Sequence, residues 1–139
     1  MRAEYDSAFE DTLARELAAF ELGTLDPASF DHAAHVRMAF AMAGRYAFDD
    51  ALARYSRALR RLCARVGRPD KYHATVTVAF LALVGERRME HPGGDDSWDA
   101  FAERNPDLFE RDCLDRWYDG AVLASDRARR TFILPAPRR

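Results

Sequence analysis

A run of apolar residues at alternating spacings of three and four is the feature that most constrains the fold of this 139-residue chain. These residues are Leu52, Tyr55, Leu59, Leu62 and Val66. An α-helix has about 3.6 residues per turn, so this spacing puts them on one face, while arginines at positions 54, 57, 60 and 61 lie on the other. The helix is expected to begin at Phe48, with acids at its positive end, and to stop at Gly67 and Pro69. The stretch predicts an amphipathic helix with one face against a core.

The N-terminal part of the chain predicts two more helices. Over about residues 4–22, apolar side chains recur at spacings of four, four and three, at Phe9, Leu13, Leu17 and Phe20. The second helix follows Asp31, an N-cap candidate, and is apolar over residues 33–43 except for His35 and Arg37. We expect Gly44 to end it. A helix that is apolar on nearly all sides is expected at the centre of a bundle.

A fourth helix is predicted from near Asp70 to about Arg88. Its β-branched stretch over residues 75–78 would also suit a strand. The length of the segment, its helical flanks and the absence of partner strands favour a helix. The preceding helix and this one are separated only by the turn around Gly67 and Pro69.

The remaining residues predict shorter elements. In order, they are a loop over residues 90–96, a short helix capped by Ser97, a helix over about 106–118, a last turn or two over 124–130 and an extended segment over 131–135. No repeat or linker divides the chain. We therefore predict a single all-α domain, an irregular bundle of five to seven helices, with its core over about residues 4–135 and a free tail at 136–139.

Composition and charge narrow the function classes. Apolar residues make up 48% of the chain and charged residues 32%, which is typical of a soluble globular protein. The net charge is −2, so the basic footprint of a nucleic-acid-binding protein is missing. Since the sequence has no N-terminal signal and no apolar run of about 18 residues, we expect a cytoplasmic protein without a membrane partner. We also expect no nucleic-acid partner, and a monomer or a homodimer. Cys63 and Cys113 are then expected to be buried free thiols.

Three of the four histidines, His32, His35 and His73, lie where predicted helices begin. His32 and His35 are three residues apart and therefore neighbours on one helix face. At about 100° per residue, this face is opposite Arg37 and Arg45, which we expect on the solvent side. His73 aligns with the apolar stripe of the fourth helix. We therefore expect all three imidazoles to point inward at one end of the bundle.

Such a cluster suits two kinds of chemistry. Neutral imidazoles bind zinc, copper, iron or nickel. The candidate ligands of a divalent transition metal are His32, His35, His73 and Asp70. Without a metal, His73 or His35 is a candidate general base, and Tyr72 and Lys71, the only lysine of the chain, are neighbouring catalytic candidates. No phosphate loop or dinucleotide fingerprint is present, so no nucleotide cofactor is expected.

The histidines belong to two longer motifs, F-x-H-x-x-H-V-R at positions 30–37 and D-K-Y-H-x-T-x-T at positions 70–77. With F-E-x-G-T-L at 20–25 and F-x-L-P at 132–135, they resemble a group of small, uncharacterised all-helical bacterial proteins over about residues 16–135. The resemblance implies that the two histidine stretches form one unit. It implies no particular activity.

Three hypotheses of function follow. The leading one is a small cytoplasmic protein with a histidine-centred site that binds a divalent transition metal and acts on a small organic molecule. The second is a metal-free enzyme that uses a buried histidine as general base. The third is a structural or interaction protein whose histidines only tie helix ends to loops. A pocket of a few hundred Å³ beside the histidines would separate the last two.

Overall fold

The computed structural model describes residues 2–90 and 97–137, with side chains from Phe9 onward. Within these residues there are seven α-helices, four short 3-10 helices and no strand. The α-helices are α1 (Arg2–Leu22), α2 (His32–Arg45), α3 (Phe48–Arg65), α4 (Ala74–Met89), α5 (Trp98–Arg104), α6 (Gly120–Leu123) and α7 (Asp126–Arg130). The predicted all-α bundle of five to seven helices is confirmed. Most of the predicted loop (residues 91–96, including His91) and the last two residues lie outside the described part.

The central helix is α2, as its sequence predicts. Its side chains Val36, Met38 and Met42 are completely buried, and it packs against α1, α3 and α4. The carboxylate of Asp31 accepts the backbone N–H of Ala34 at 2.9 Å, so the predicted N-cap is confirmed. The cap satisfies one of the N–H groups that a helix leaves unpaired at its start. It fixes where the two histidines of α2 stand.

One face of α2 differs from the prediction. Arg37 was expected on the solvent side, but it is half-buried and donates from Nε and Nη2 to the carboxylate of Glu16 on α1, at 2.6 and 2.8 Å. A bidentate guanidinium–carboxylate pair of this kind orients two helices as well as neutralising both charges. The prediction is wrong because α1 covers this side of α2. The opposite face, which carries the histidines, remains turned toward α4.

The arginine face of α3 holds the end of α1. Gly23 takes a positive φ of +78° and ends α1, as predicted. Arg61 donates from Nη1 to the carbonyl of Glu21 at 2.7 Å, and Arg65 donates to the carbonyl of Gly23 at 2.9 Å. The last carbonyls of a helix have no partner within it and carry partial negative charge, so cations stabilise them.

The fourth helix begins later than predicted. Pro69–Lys71 form a 3-10 turn, Tyr72 is extended, and α4 starts at Ala74 instead of near Asp70. His73 is the N-cap: its Nδ1 accepts the N–H of Val76 at 3.1 Å. Because an N-cap residue has non-helical backbone angles, the helix cannot extend toward Asp70. The prediction of a helix over the β-branched stretch at 75–78 is confirmed.

The predicted helix over residues 106–118 is wrong. The chain forms two separate 3-10 turns there, Pro106–Phe109 and Cys113–Arg116. Leu108 and Leu114 are both buried. Six residues apart on one α-helix, they would point in directions about 120° apart. Breaking the helix lets both side chains enter the same core.

The C-terminal segment is extended and packs across the bundle, as predicted. Thr75, which is fully buried, donates from Oγ1 to the carbonyl of Thr131 at 2.8 Å and accepts the N–H of Ile133 at 3.1 Å. The hydroxyl of Tyr118 donates to the carbonyl of Ile133 at 2.7 Å. These bonds fix the end of the chain against the start of α4. In the described residues, no helix has the length and apolar character needed to cross a membrane.

Candidate functional site

A cavity of about 430 Å³ lies beside the first turns of α2 and α4. Its walls come from these turns, from the face of α3 that carries Tyr55 and Leu59, and from the C-terminal part of the chain, including Leu114 and Leu123. Pockets that bind small molecules span about 300–1,000 Å³ and are mostly apolar with a few polar groups. The size and the lining of this cavity match that description.

The three histidines singled out from the sequence all line this cavity. That they meet at one point stays a prediction. Lys71 and Tyr72 line it as well. Lys71 is exposed, whereas the half-buried ring of Tyr72 lies under the guanidinium of Arg60, 3.9 Å from its Cζ.

Asp70 is separate from this group. Its carboxylate is exposed and accepts two hydrogen bonds from Arg68, at 3.1 and 3.2 Å, and these bonds lower the pKa of the carboxyl group. It does not line the cavity.

His73 is fully engaged in holding the backbone. Its Nδ1 accepts the N–H of Val76, and its Nε2 lies 2.7 Å from the carbonyl oxygen of Leu123. A carbonyl oxygen only accepts, so Nε2 carries the proton and the ring is the neutral Nε2–H tautomer. His73 thereby ties the start of α4 to the end of α6, and neither ring nitrogen is left for a ligand.

His32 is half engaged. Its Nε2 lies 2.9 Å from the carbonyl oxygen of Leu108, and this bond likewise requires the proton on Nε2. Its Nδ1 has no partner among the described residues. His32 therefore anchors the first 3-10 turn of the C-terminal part to α2 and still has one ring nitrogen available.

His35 is the available histidine of the three. Its ring packs against the ring of Phe30, with centroids 4.5 Å apart, and lies 6.4 Å from the ring of His32. Neither of its ring nitrogens has a hydrogen-bond partner among the described residues. Among the described residues, no buried side-chain nitrogen or oxygen atom lacks a hydrogen-bond partner. The ring nitrogens of His35 are therefore open to solvent in the cavity that the ring lines.

The surroundings keep His35 neutral. Burial, and to a smaller extent the neighbouring His32, lower its pKa from 6.5 to about 4, against an opposing contribution from the charge of Asp31. Burial disfavours the charged form of an imidazole because the ion loses its hydration. At physiological pH, His35 consequently presents one N–H donor and one lone pair to the cavity.

The structure does not assemble the predicted metal ligands. Among residues 2–90 and 97–137, no three His, Cys, Asp or Glu side chains are placed to hold a metal ion. Both nitrogens of His73 are engaged with the backbone, and Asp70 is paired with Arg68. The donor set thus does not fit a shared ion, and metal binding by His32, His35, His73 and Asp70 stays a prediction from the sequence.

Several lining residues were not assigned to a site from the sequence. Cys63 and Cys113, expected to be buried, are half-buried free thiols that both line the cavity. Burial raises the pKa of each thiol above its ordinary value. Arg111 and Asp115 contribute exposed charges to the lining. No local pattern marks these residues, because the C-terminal part reaches the cavity only through tertiary contacts.

The fold and the site together define an all-α protein with a cavity suited to a small molecule and one available imidazole within it. Comparisons with protein-family models, with curated proteins and with solved structures found no match to this chain. The resemblance drawn from the two histidine motifs therefore stays a prediction.

Proposed function

We propose that the protein binds a small organic molecule in the cavity and exchanges a proton with it through His35. One observation carries the proposal: an imidazole without a hydrogen-bond partner among the described residues lines a cavity of about 430 Å³. A ring nitrogen that is open to solvent in the cavity and has no protein partner is available to a ligand.

The neutral state of His35 leaves a lone pair that can take a proton from the ligand. With a pKa of about 4, the ring carries a free lone pair across the physiological pH range. Proton transfer from the ligand to this lone pair would create an imidazolium ion, which burial and His32 oppose. The carboxylate of Asp31 has the opposite effect, since its charge favours the protonated ring. Asp31 would thus stabilise the ion formed in the reaction.

A purely structural role accounts for only part of the cluster. His32 and His73 do tie helix starts to C-terminal carbonyls, as the third hypothesis requires. His35 makes no such tie. The proposal therefore assigns structural roles to His73 and mainly to His32, and the chemistry to His35, while Lys71 and Tyr72 at the cavity are contacts for the ligand.

We infer that this chemistry takes place in the cytoplasm. Both cysteines are free, and the cytoplasm keeps thiols reduced. This placement can be checked by fractionating cells that produce the protein at its natural level.

The proposal is tested by screening a library of small metabolites for compounds that raise the melting temperature of the wild-type protein. His35→Phe retains the ring's packing on Phe30 and removes both ring nitrogens. We expect at least one compound to stabilise the wild type and to lose about tenfold in affinity for His35→Phe, because one hydrogen bond to the ligand is lost. Affinities are measured by isothermal titration calorimetry.

Tyr46→Phe is the matched control, since it removes a polar group bonded to Glu21 outside the cavity. It should bind every compound as the wild type does. Compounds that bind His35→Phe as well as the wild type would contradict the proposal. A melting temperature that rises with added zinc, and does so only when His32 and His35 are present, would favour the metal hypothesis instead.

A further inference from the structure

A groove of about 400 Å³ lies on the surface between α1 and α3 and shares no lining residue with the histidine cavity. We call it the arginine groove, and it is lined by Ala18, Glu21, Leu22, Arg54, Arg57 and Arg61. Three guanidinium groups against one carboxylate give this lining a net charge of +2, whereas the whole chain has a net charge of −2. The groove is therefore a local concentration of positive charge.

The charge comes from a stretch of sequence that contains no acid. Between Asp50 and Asp70 there are six arginines and neither aspartate nor glutamate. Arg57 consequently has Arg54 three residues before it and Arg61 four residues after it on α3. Like charges at these spacings repel each other and destabilise a helix. The stability of α3 therefore does not account for the arginine at position 57.

The single carboxylate of the groove is already engaged. The carboxylate of Glu21 accepts hydrogen bonds from the hydroxyl of Tyr46 at 3.0 Å and from Nη1 of Arg54 at 3.1 Å. Arg61 donates only to the backbone carbonyl of Glu21, which carries no net charge. Arg57 is exposed and has no hydrogen bond or ion pair among the described residues. The charges of Arg57 and Arg61 are thus left for an anion from outside the chain.

The spacing of these two arginines matches carboxylates on a helix. Arg57 and Arg61 are one helical turn apart, about 6 Å along the axis of α3. Two acidic residues four positions apart on a partner helix have the same separation. A guanidinium group pairs well with a carboxylate because its planar N–H groups fit both oxygens.

An apolar side chain in the groove favours a protein partner over a nucleic acid. Leu22 lines the groove and is 73% exposed. An aliphatic side chain of a partner protein could cover it, whereas a phosphate backbone offers no such group. Nucleic-acid binding also depends on many phosphate contacts at once. Two guanidinium groups without a carboxylate partner are few for that purpose.

We propose that the arginine groove binds an acidic amphipathic helix of another protein. Carboxylates one turn apart on that helix pair with Arg57 and Arg61, and an aliphatic side chain on the same face packs against Leu22. Binding would relieve the repulsion among the arginines of α3. This surface is separate from the cavity of His35, so the inference goes beyond the proposed function and does not depend on it.

The test uses a fluorescein-labelled, alanine-rich helical peptide of about 16 residues, with glutamates four positions apart and leucines on the same face. A second peptide has glutamine at every glutamate position. Binding to the full chain is followed by fluorescence anisotropy. We expect the glutamate peptide to bind, to bind more weakly as the salt concentration rises from about 50 to about 300 mM, and to bind more tightly than the glutamine peptide.

Two variants examine the two parts of the groove. Arg57→Gln should weaken binding of the glutamate peptide about fivefold, because one exposed ion pair is lost. Leu22→Ser should also weaken it about fivefold, because part of an apolar contact is lost. Arg127→Gln is the matched control, since Arg127 is an exposed arginine of α7 outside the groove. It should bind the peptide as the wild type does.

Thermal unfolding separates binding from a structural role. Arg57→Gln should not lower the melting temperature, because it removes like-charge repulsion and no hydrogen bond among the described residues. A lower melting temperature would show that the guanidinium is already used by the fold, and it would overturn the proposal.

The remaining outcomes concern the occupant. No binding of the glutamate peptide, or equal binding of both peptides, overturns the proposal. Single-stranded oligothymidylate that binds more tightly than the glutamate peptide, with no effect of Leu22→Ser, would assign the groove to nucleic acid. Tighter binding to vesicles of phosphatidylcholine and phosphatidylserine would assign it to a membrane surface. Self-association in sedimentation experiments that Arg57→Gln abolishes would assign it to a second copy of this chain. Each of these three results overturns the proposal.

Discussion

His35 and His73 are the same residue type, near helix starts and beside one cavity, yet their rings are used differently. His73 directly precedes α4, where backbone N–H groups lack partners, and its ring accepts one of them. His35 stands in the first turn of α2, where Asp31 already caps the helix by accepting from Ala34. The ring of His35 therefore meets no backbone donor. The position of each ring relative to the cap decides whether it is structural or available.

The stability of the protein should depend on pH through His35. Its pKa is about 4 in the folded protein and about 6.5 in the unfolded chain, so between these values the unfolded chain binds more protons. Stability consequently rises with pH across this window and falls as pH drops from about 6.5 toward 4. At about 1.4 kcal/mol per unit of pKa, we expect His35 to account for a loss of at most about 3 kcal/mol. Urea unfolding at pH 7.5, 5.5 and 4.5 measures it.

His35→Phe removes this titration and should flatten the pH dependence between pH 7.5 and 4.5. Tyr46→Phe, outside the cavity, should keep the wild-type slope. If His35→Phe and the wild type lose the same free energy of unfolding over this range, His35 is not held neutral by its surroundings.

At the scale of elements, the contact between α2 and α4 depends on the missing side chain of Gly44. Gly44 was predicted to end α2, but it lies within the last turn, because the helix continues to Arg45. A Cβ atom on Gly44 would come within 2.6 Å of Cζ of Arg88. That guanidinium donates to the carbonyl of Phe40 at 2.6 Å and lies over the Phe40 ring, 3.9 Å from its centre. Gly44 thus leaves the space in which Arg88 links the two helices.

Gly44→Ala should destabilise the protein by about 1 kcal/mol. Displacing Arg88 breaks a hydrogen bond from a charged group, which lowers the free energy of unfolding by about 1.5–3 kcal/mol. The higher helix propensity of alanine raises it by about 1 kcal/mol. Gly85→Ala is the matched control, since the nearest atom to its Cβ is 4.0 Å away, and it should stabilise α4 by about 0.5–1 kcal/mol. Thermal and urea unfolding give both values.

A double-mutant cycle tests the mechanism. In an Arg88→Ala background, Gly44→Ala should become stabilising, because the clash is gone and only the propensity gain remains. The same destabilisation in both backgrounds would show that Arg88 is not the cause.

At the scale of the whole molecule, the C-terminal part closes the cavity and is held there by the second histidine motif. In the D-K-Y-H-x-T-x-T stretch, His73 bonds to the carbonyl of Leu123, and Thr75 bonds to both Thr131 and Ile133. Thr77 bonds back to the carbonyl of His73. The motif is thus mainly a tether between the start of α4 and the end of the chain, and the cavity depends on it.

Thr75→Val should loosen this tether. The valine keeps the shape of the side chain but leaves the carbonyl of Thr131 and the N–H of Ile133 without their partner, at a cost of about 1–3 kcal/mol. We expect faster tryptic cleavage at Arg129 and Arg130, which precede the tethered residues. Mass spectrometry of a digestion time course identifies the cut sites.

Thr75→Ser is the control, because it retains the hydroxyl group and loses only a methyl group. It should resist trypsin nearly as the wild type does. Equal cleavage of Thr75→Ser and Thr75→Val would assign the effect to lost packing instead of lost hydrogen bonds.

Local periodicity determined most of the fold. The 3–4 spacing of apolar residues predicted α1 and α3, and the cap residues Asp31 and Ser97 predicted the starts of α2 and α5. Both signals act within one or two helical turns, so they can be read without tertiary contacts. The error over residues 106–118 arose because the burial of Leu108 and Leu114 in one core depends on the rest of the bundle.

The sequence by itself determined the longer helices and the inward face of α2, because each follows from the periodicity of a single helix. Only the tertiary structure decided what each imidazole does. The carbonyls of Leu108 and Leu123, from distant parts of the chain, engage His32 and His73, and no hydrogen-bonding group of the described residues reaches the ring nitrogens of His35. Hydrogen bonds between distant segments have no sequence period, so the division of three similar histidines into two tethers and one available ring is set by packing.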